Sequence, residues 1–426
     1  MKLVFASTFY YRRGGLESYL FKTKELLERK GHHIVPFATD YFENYDSEYS
    51  DYFCKYYDVS SEALSKPFKE NLQALMNLFF NREAYIKIQR LVRETKPDLL
   101  QGFNMARNLS FSVFKGAKDA GVPTIMRISD YALFCPCAIG IDGAGELCTE
   151  FSCTGMNFSK ILSKRCVHNS LIASFFGLFE VKTIFLLGAY NKYVDYFIAP
   201  SRFIRDIFIK HYKIPSERIC YLPVFIDSSN ASSADADDGY FLYAGRLSKE
   251  KGVMTLLKAI ERNAKLKLII AGAGPAEAEL KAYCTNNKIG NIEFLGFQKY
   301  SDLQDLIKRC RAVILPSECY ENSPNIVLES YNYYKPVIAS KIGGIPEIVK
   351  DGETGFLFEP RKHEDLYSKI EYLASNKVLA ADMGQRAKRL VEQEFNAAKH
   401  YAGLIEIYKK ALLKQTNNLK FTCSAQ

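Results

Sequence analysis

The 426-residue sequence predicts an α/β protein of two doubly wound parallel sheets in series, and three observations carry that prediction. Short β-branched or apolar runs alternate with longer amphipathic stretches, which is how strand–helix–strand units of a parallel sheet read. The alternation starts afresh near residue 196, and the chain is too long for one ordinary core. Its residues are 48% hydrophobic and 25% charged, a globular balance that excludes a disordered or collagenous chain.

In the first half, strands are predicted at 2–8, 34–39, 98–103 and 124–129, with helices at 17–30 and 71–94 between them. The second half opens on strands at 196–200 and 219–223 and continues at 241–246, 267–272, 292–296, 312–316 and 336–340. The expected organisation is a first domain over 1–195, a second over 196–395, a helix over 396–414 and a frayed polar tail over 415–426. The stretch SSNASSADADDG (228–239) reads as an exposed loop inside the second domain.

A net charge of +9 suits an anionic small molecule, a membrane surface or nucleic acid. The basic residues are dispersed and no zinc-finger or RNP signature is present, which excludes nucleic acid as the expected partner. The start, MKLVFASTFYYRRGG, lacks the run and cleavage site of a signal peptide. Eleven cysteines, an odd number, point to a reducing compartment, and a cytoplasmic placement is expected. Residues 170–190, SLIASFFGLFEVKTIFLLGAY, have the length of a membrane span. Glu180 and Lys182 sit near the middle, where each charge costs about 2.5–3.5 kcal/mol, so a buried or interfacial helix is expected. This stretch and 68–86 combine Phe, Leu, Tyr and Lys; contact with the inner face of a membrane and plain core packing explain them equally well.

The chemistry concentrates in the second half. In YAGRLSKEKG (243–252) a strand ends near Gly245, and Arg246 and Lys251 follow at its carboxyl end, the ligand edge of open parallel sheets. Arg grips phosphate oxygens bidentately and Lys acts as a point charge, so the pair suits a diphosphate; taken alone, a solvated basic loop is the better reading. In LPSECYENSPNIVLES (315–330) Ser323 reads as an N-cap and Pro324 as the first helical residue. The first free amides then belong to Asn325, Ile326 and Val327, an anion site at a helix start. Glu321 and Glu329 flank it. Two carboxylates beside an anion site make sense when each accepts hydroxyl hydrogen bonds while the amides hold phosphate, which is the shape of a nucleotide sugar. One capping and one surface glutamate is the bland alternative. In RRGGLESY, Gly14 and Gly15 follow the first strand and precede a helix, allowing close backbone approach to an anion or serving only a tight turn.

The E-x7-E pair within PSECYENSPNIVLESYNYYKPVIASKIGGIPEIVKDGETGFLFEP, together with GRLSKEKG, resembles the retaining glycosyltransferases of family 4, and the likeness runs from FIAPSRF to GFLF. The resemblance implies the GT-B fold, two Rossmann-like doubly wound domains facing across a cleft, with the acceptor on the first and a nucleotide-diphosphate sugar on the second. It implies that Arg246 and Lys251 bind the diphosphate without a metal or other cofactor. Glu321 would contact the transferred sugar, Glu329 the ribose, and the Asn325 and Ile326 amides the distal phosphate. Gly245 would lie at the phosphate edge. Gly272 and Phe297 would frame the base, Gly14 and Gly15 would close over the phosphates, and GGIPE (343–347) would support the pocket. Transfer with retention lets the leaving phosphate take the acceptor proton. A saccharide or lipid-linked acceptor in bacterial surface-polysaccharide assembly is the implied context. A silent scaffold of the same fold, or another sugar-nucleotide enzyme such as an epimerase, is the alternative.

Two departures matter. Many family members carry His-Asp where this chain has Ser129-Asp130, and a histidine near Gly102 where it has QGFN. That leaves Asn104 and Asp130 as acceptor-side candidates, with strand-end hydrogen bonding as the bland reading. Cys135, Cys148, Cys153 and Cys166 resemble a Cys-rich insert of one subgroup; they read as a structural zinc set or as buried unbonded thiols.

Overall fold

The computed structural model describes residues 1–57, 68–103, 105, 107–148, 159–167, 169–227 and 237–423. The chain divides into two compact units: Met1–Pro200 with Ile204–Leu222 and Tyr401–Gln426, and Ser201–Phe203 with Pro223–His400.

The first unit holds a six-stranded sheet in the order β2-β1-β5-β6-β7-β8. Its strands are β1 (Lys2–Ala6), β2 (His33–Phe37), β5 (Leu99–Gly102), β6 (Thr124–Arg127), β7 (Tyr196–Ala199) and β8 (Ile219–Tyr221); β3 (Thr39–Asp40) and β4 (Cys54–Lys55) form a separate pair. The helices through this region are α1 (Gly15–Arg29), α2 (Phe68–Phe79), α3 (Arg82–Thr95), α4 (Ser112–Asp119), α5 (Ser159–Ser163), α6 (Leu171–Leu187), α7 (Ala189–Tyr193) and α8 (Arg202–Ile207). Every ladder is parallel, and β5 and β6 are buried throughout, as strands covered on both faces must be.

The second sheet runs β11-β10-β9-β12-β13-β14. Its strands are β9 (Tyr240–Ala244), β10 (Lys267–Ala271), β11 (Ile292–Gly296), β12 (Ala312–Leu315), β13 (Val337–Ser340) and β14 (Gly355–Phe358). Helices α9 (Val253–Ile260), α10 (Glu277–Asn286), α11 (Tyr300–Arg309), α12 (Asn325–Asn332), α13 (Ile345–Ile348), α14 (His363–Ser375) and α15 (Lys377–Glu394) follow in order, and α16 spans Ala397–Cys423. Phe241, Leu256, Ile270, Ile314, Ile338 and Leu366 belong to the core between strands and helices.

Three local readings differ from the sequence expectation. The strands expected to open the second half, near 196 and 219, extend the first sheet instead, β7 pairing with β6 and β8 with β7. A strand's side-chain pattern reports burial and not which sheet it joins. The single helix expected over 71–94 is two, because Asn81 caps α3 by accepting from the Ala84 amide at 2.9 Å while its own Nδ2 donates to the Asn108 carbonyl at 2.7 Å. The tail expected to fray is helical through Cys423, consistent with a polar stretch that contains neither Gly nor Pro. Most of the loop expected over 228–239 lies outside the described residues.

No helix of the described residues is long and apolar enough to cross a membrane. In α6, capped by Ser170 and ended by Gly188, Ser174, Gly177, Glu180, Val181 and Ile184 face inward at helical spacing. Glu180 turns toward Arg107, 3.6 Å away, and burial pushes its carboxyl up against that charge. Leu171, Ile172, Phe175, Phe176, Phe179, Leu186 and Leu187 are left on the outside, Ile172 being 74% exposed.

Candidate active site

The site lies at the carboxyl ends of β9, β10 and β12. The chain leaves β9 for β10 on one side and returns to β12 on the other, so the space beyond β9 and β12 is a topological switch point. The strand ends are laced together: the Gly245 amide donates to Ala271 at 3.0 Å and the Gly272 amide to Gly296 at 2.7 Å. A side chain at Gly272, φ +156, would strike the Gly245 carbonyl, so only glycine permits this approach.

Arg246 is exposed and makes no ion pair among the described residues. Its loop is held through its carbonyl, which accepts from the Tyr243 hydroxyl at 2.8 Å. Lys251 closes the 3-10 turn Lys249–Lys251, and its Nζ donates to Glu321 Oε1 at 2.6 Å. Ser317 Oγ donates to the same oxygen at 2.8 Å. Burial alone would lower the lysine's pKa; the Glu321 charge, helped by Cys319, outweighs it and holds Lys251 above the ordinary lysine value. Lys251 is therefore cationic at neutral pH, with donor hydrogens to spare for a phosphate.

The loop that presents Glu321 is clamped by the GGIPE segment. The Gly344 amide donates to the Glu321 carbonyl at 2.7 Å. Gly343, at φ +60, lies so close that a Cβ would come within 2.4 Å of that carbonyl. Glu347 in turn accepts from the amides of Arg202 and Phe203 at 2.8 and 2.7 Å.

Helix α12 begins one residue later than expected. Pro324 is the N-cap, and no side chain caps the helix; Ser323 Oγ is buried without a partner among the described residues. The Val327 amide already donates to the Pro324 carbonyl at 3.2 Å, so of the three expected amides only those of Asn325 and Ile326 precede the first intrahelical bond. Glu329 is half-buried in the second turn, its charge reaching Tyr333. Phe297 follows β11 at the sheet edge and is 80% exposed.

The sequence expectations thus meet in part. Lys251 and Glu321 touch; Arg246, Gly245 and Gly272 share adjoining strand ends; Asn325, Ile326 and Glu329 share one helix. Ser317 and Tyr243, which brace the glutamate and the arginine loop, were absent from the expectation, since a lone Ser or Tyr at a strand end carries no spacing signal.

In the first unit, Gly14 is the extended N-cap of α1 and Gly15 its first residue. Asp130 follows β6; its Oδ1 accepts from the Ala132 amide at 2.9 Å, and burial pushes the carboxyl up against the pull of that bond and of Arg107. Asn104 and Cys153 lie outside the described residues. Cys135 and Cys137 bring their sulfurs to 3.3 Å. The Cys135 hydrogen bond, with the Ile139, Ile141 and Gly140 amides, outweighs burial and draws the Cys137 thiol down to about 6. No group of three or more His, Cys, Asp or Glu is placed to hold a metal among the described residues.

Residues 225–390 match the family described as glycosyl transferases group 1. This segment is similar to a group 1 glycosyltransferase domain. It contains Arg246, Lys251, Glu321 and Glu329, so the family match and the switch-point cluster coincide. The chain is 29% identical over 177 residues to the O-antigen chain mannosyltransferase C of Escherichia coli, covering 41% of this chain and 47% of that protein. It is 32% identical over 160 residues to the D-rhamnosyltransferase WbpZ of Pseudomonas aeruginosa, covering 37% and 42%. The chain thus spans about half the length of the curated relatives it matches. In fold the likeness extends further: Anabaena Alr3699/HepE, solved in complex with UDP, superposes with a TM-score of 0.66 at 18% identity, covering 96% of this chain and all of that one. The two parallel six-stranded α/β sheets of the chain therefore have the GT-B fold.

Proposed function

We propose that the protein transfers a sugar, with retention at the anomeric carbon, from a nucleotide-diphosphate donor to a saccharide or lipid-linked saccharide acceptor. Bacterial surface-polysaccharide assembly at the inner face of a membrane is the setting. The observation that carries the reading is the Lys251–Glu321 contact at the switch point, beside an exposed arginine that makes no ion pair among the described residues.

Glu321 uses Oε1 for both Lys251 and Ser317, which leaves Oε2 to accept a hydroxyl of the transferred sugar. Arg246, Lys251 and the Asn325 and Ile326 amides receive the diphosphate, supplying the neutralisation that a divalent metal supplies in other transferases. As the glycosidic bond breaks, charge grows on the leaving phosphate, and these preorganised donors stabilise it most at that moment. The departing phosphate oxygen takes the acceptor hydroxyl's proton on the same face, so no histidine is needed. Glu329 reads the ribose, and Phe297 and Gly272 border the base. Support for the setting comes from the group 1 match, the O-antigen mannosyltransferase relative, the UDP held by the HepE neighbour and the outward apolar face of α6.

Thermal shift across UDP-, GDP-, ADP- and TDP-sugars, followed by turnover of the stabilising donor, tests the proposal. Arg246→Ala and Lys251→Ala should each cut transfer at least about tenfold to a hundredfold. Wild-type turnover in both variants rejects it, and conversion of the donor to an epimer without an acceptor would favour the epimerase reading.

A further inference from the structure

The first unit holds a cation that the donor chemistry does not use. Arg127, the last residue of β6, is 5% exposed and forms no ion pair among the described residues. Its Nε has no hydrogen-bond partner; its guanidinium carbon lies 3.8 Å from the ring centroid of Tyr19 on α1, whose side chain also accepts a hydrogen bond from the guanidinium. A guanidinium buried without a counter-ion is strongly unfavourable, and one aromatic face offsets only part of that. A methionine would fill the space at no such cost.

The buried acids nearby are answered by other cations. Asp130 feels Arg107, and Glu17 feels Arg13. Arg127 instead borders a small cavity of about 10 Å³, room for roughly one water or one oxygen of a charged group. Phe103, Met126, Leu133 and Phe208 make its apolar wall, and Ser129 and Asp130 its polar one. Its position is the ligand edge of the first sheet: the strand order reverses between β1 and β5, Phe103 directly follows β5, and Tyr19 lies on the helix that follows β1.

We infer that Arg127, with Ser129 and Asp130, forms an anion-binding site that takes a phosphate or carboxylate group carried by the acceptor. The inference rests on the transferase reading for the word acceptor; the anion site itself rests on the buried guanidinium that meets no acid among the described residues and on the cavity. The anion supplies the counter-charge that Arg127 lacks, one oxygen entering the cavity and the rest of the group remaining at its mouth. Burial favours the protonated form of Asp130, which donates to an anion and does not repel it. Discrimination follows: a neutral sugar in the same place leaves the guanidinium unpaired.

The test uses the full chain carrying Arg246→Ala and Lys251→Ala, so that the donor-site cations do not capture the probe. Inorganic phosphate and sodium glucuronate are titrated separately by calorimetry and thermal shift. Saturable binding of at least one probe, weakened at least about tenfold by adding Arg127→Met, is expected; phosphate alone identifies a phosphorylated acceptor and glucuronate alone an acidic sugar. Equal stabilisation with and without Arg127→Met marks a bulk salt effect and overturns the inference, as does binding of neither probe. Should Arg127→Met fail to fold, Arg127→Lys keeps the charge but loses the planar fork, and unchanged affinity there overturns it too. Donor binding by the otherwise wild-type chain is measured beside it. If donor sugars do not bind while the anion does, the transferase reading falls and the anion site stands.

Discussion

At the scale of single residues, the proposed donor site is organised around one shared oxygen. Glu321 Oε1 accepts from both Lys251 and Ser317, so the carboxylate is oriented before substrate arrives. Glu321→Gln keeps the shape and removes the charge that holds Lys251 in place. Transfer should fall about a hundredfold while donor affinity changes by only a few-fold, because the loss falls on the transition state; kcat and KM measured on the stabilising donor separate the two. The Cys135–Cys137 pair gives a second prediction. A thiol drawn down to about 6 is mostly thiolate at pH 7, so iodoacetamide should label Cys137 ahead of the other described cysteines. Because the Cys135 hydrogen bond is the largest cause, Cys135→Ser should slow that labelling, which peptide mass spectrometry resolves. The folded thiol lies below the ordinary unfolded value of about 8.5, so its contribution to stability is present above that value and is lost as pH falls through about 6. Arg246, Lys251, Glu321 and Glu329 were legible in the sequence because charge at fixed spacing around a helix start has few other uses. Arg127 was not, since nothing in a sequence says that an arginine ends a buried strand with no acid to meet it.

Among the elements, α6 shows most clearly how tertiary placement changes a reading. Its two central charges argued against a membrane span, and the structure buries Glu180 against Arg107, leaving Lys182 as the exposed charge on a face of Phe, Leu and Ile. An apolar face with a basic residue on it, in a chain of net charge +9, suits an anionic leaflet. The protein should sediment with vesicles containing phosphatidylglycerol, and Phe176→Asp with Ile172→Asp should abolish that while leaving donor binding intact; equal sedimentation of the variant would show that α6 is not the contact. The α2–α3 break has the opposite lesson. Asn81 looked like one polar residue in a long helical pattern, yet its side chain caps α3 and ties it to Asn108. Asn81→Ala should cost about 1–2 kcal/mol, read as a lowered denaturation midpoint at unchanged slope. Likewise Ser323 read as the cap of α12, and the backbone starts the helix one residue later, at Asn325 behind Pro324.

For the whole molecule, the net charge of +9 makes association with the proposed anionic diphosphate donor electrostatic. Donor affinity should weaken several-fold as ionic strength rises from low to about 0.5 M, where the Debye length has shrunk to a few ångströms; flat affinity across that range would remove Arg246 and Lys251 from the contact. What the sequence by itself determined was the doubly wound class, nearly every strand of both sheets and the charged members of the donor site. Those follow from local causes, namely period-two and 3.6-residue patterning, cap chemistry and charges close in sequence. Only the tertiary structure decided that the strands near 196 and 219 belong to the first sheet, that Gly343 and Gly344 press on the Glu321 loop, and that Arg127 is buried with no acid paired to it among the described residues. These depend on which backbone lies beside which across long stretches of chain, and a side chain's own neighbourhood in sequence holds no record of that.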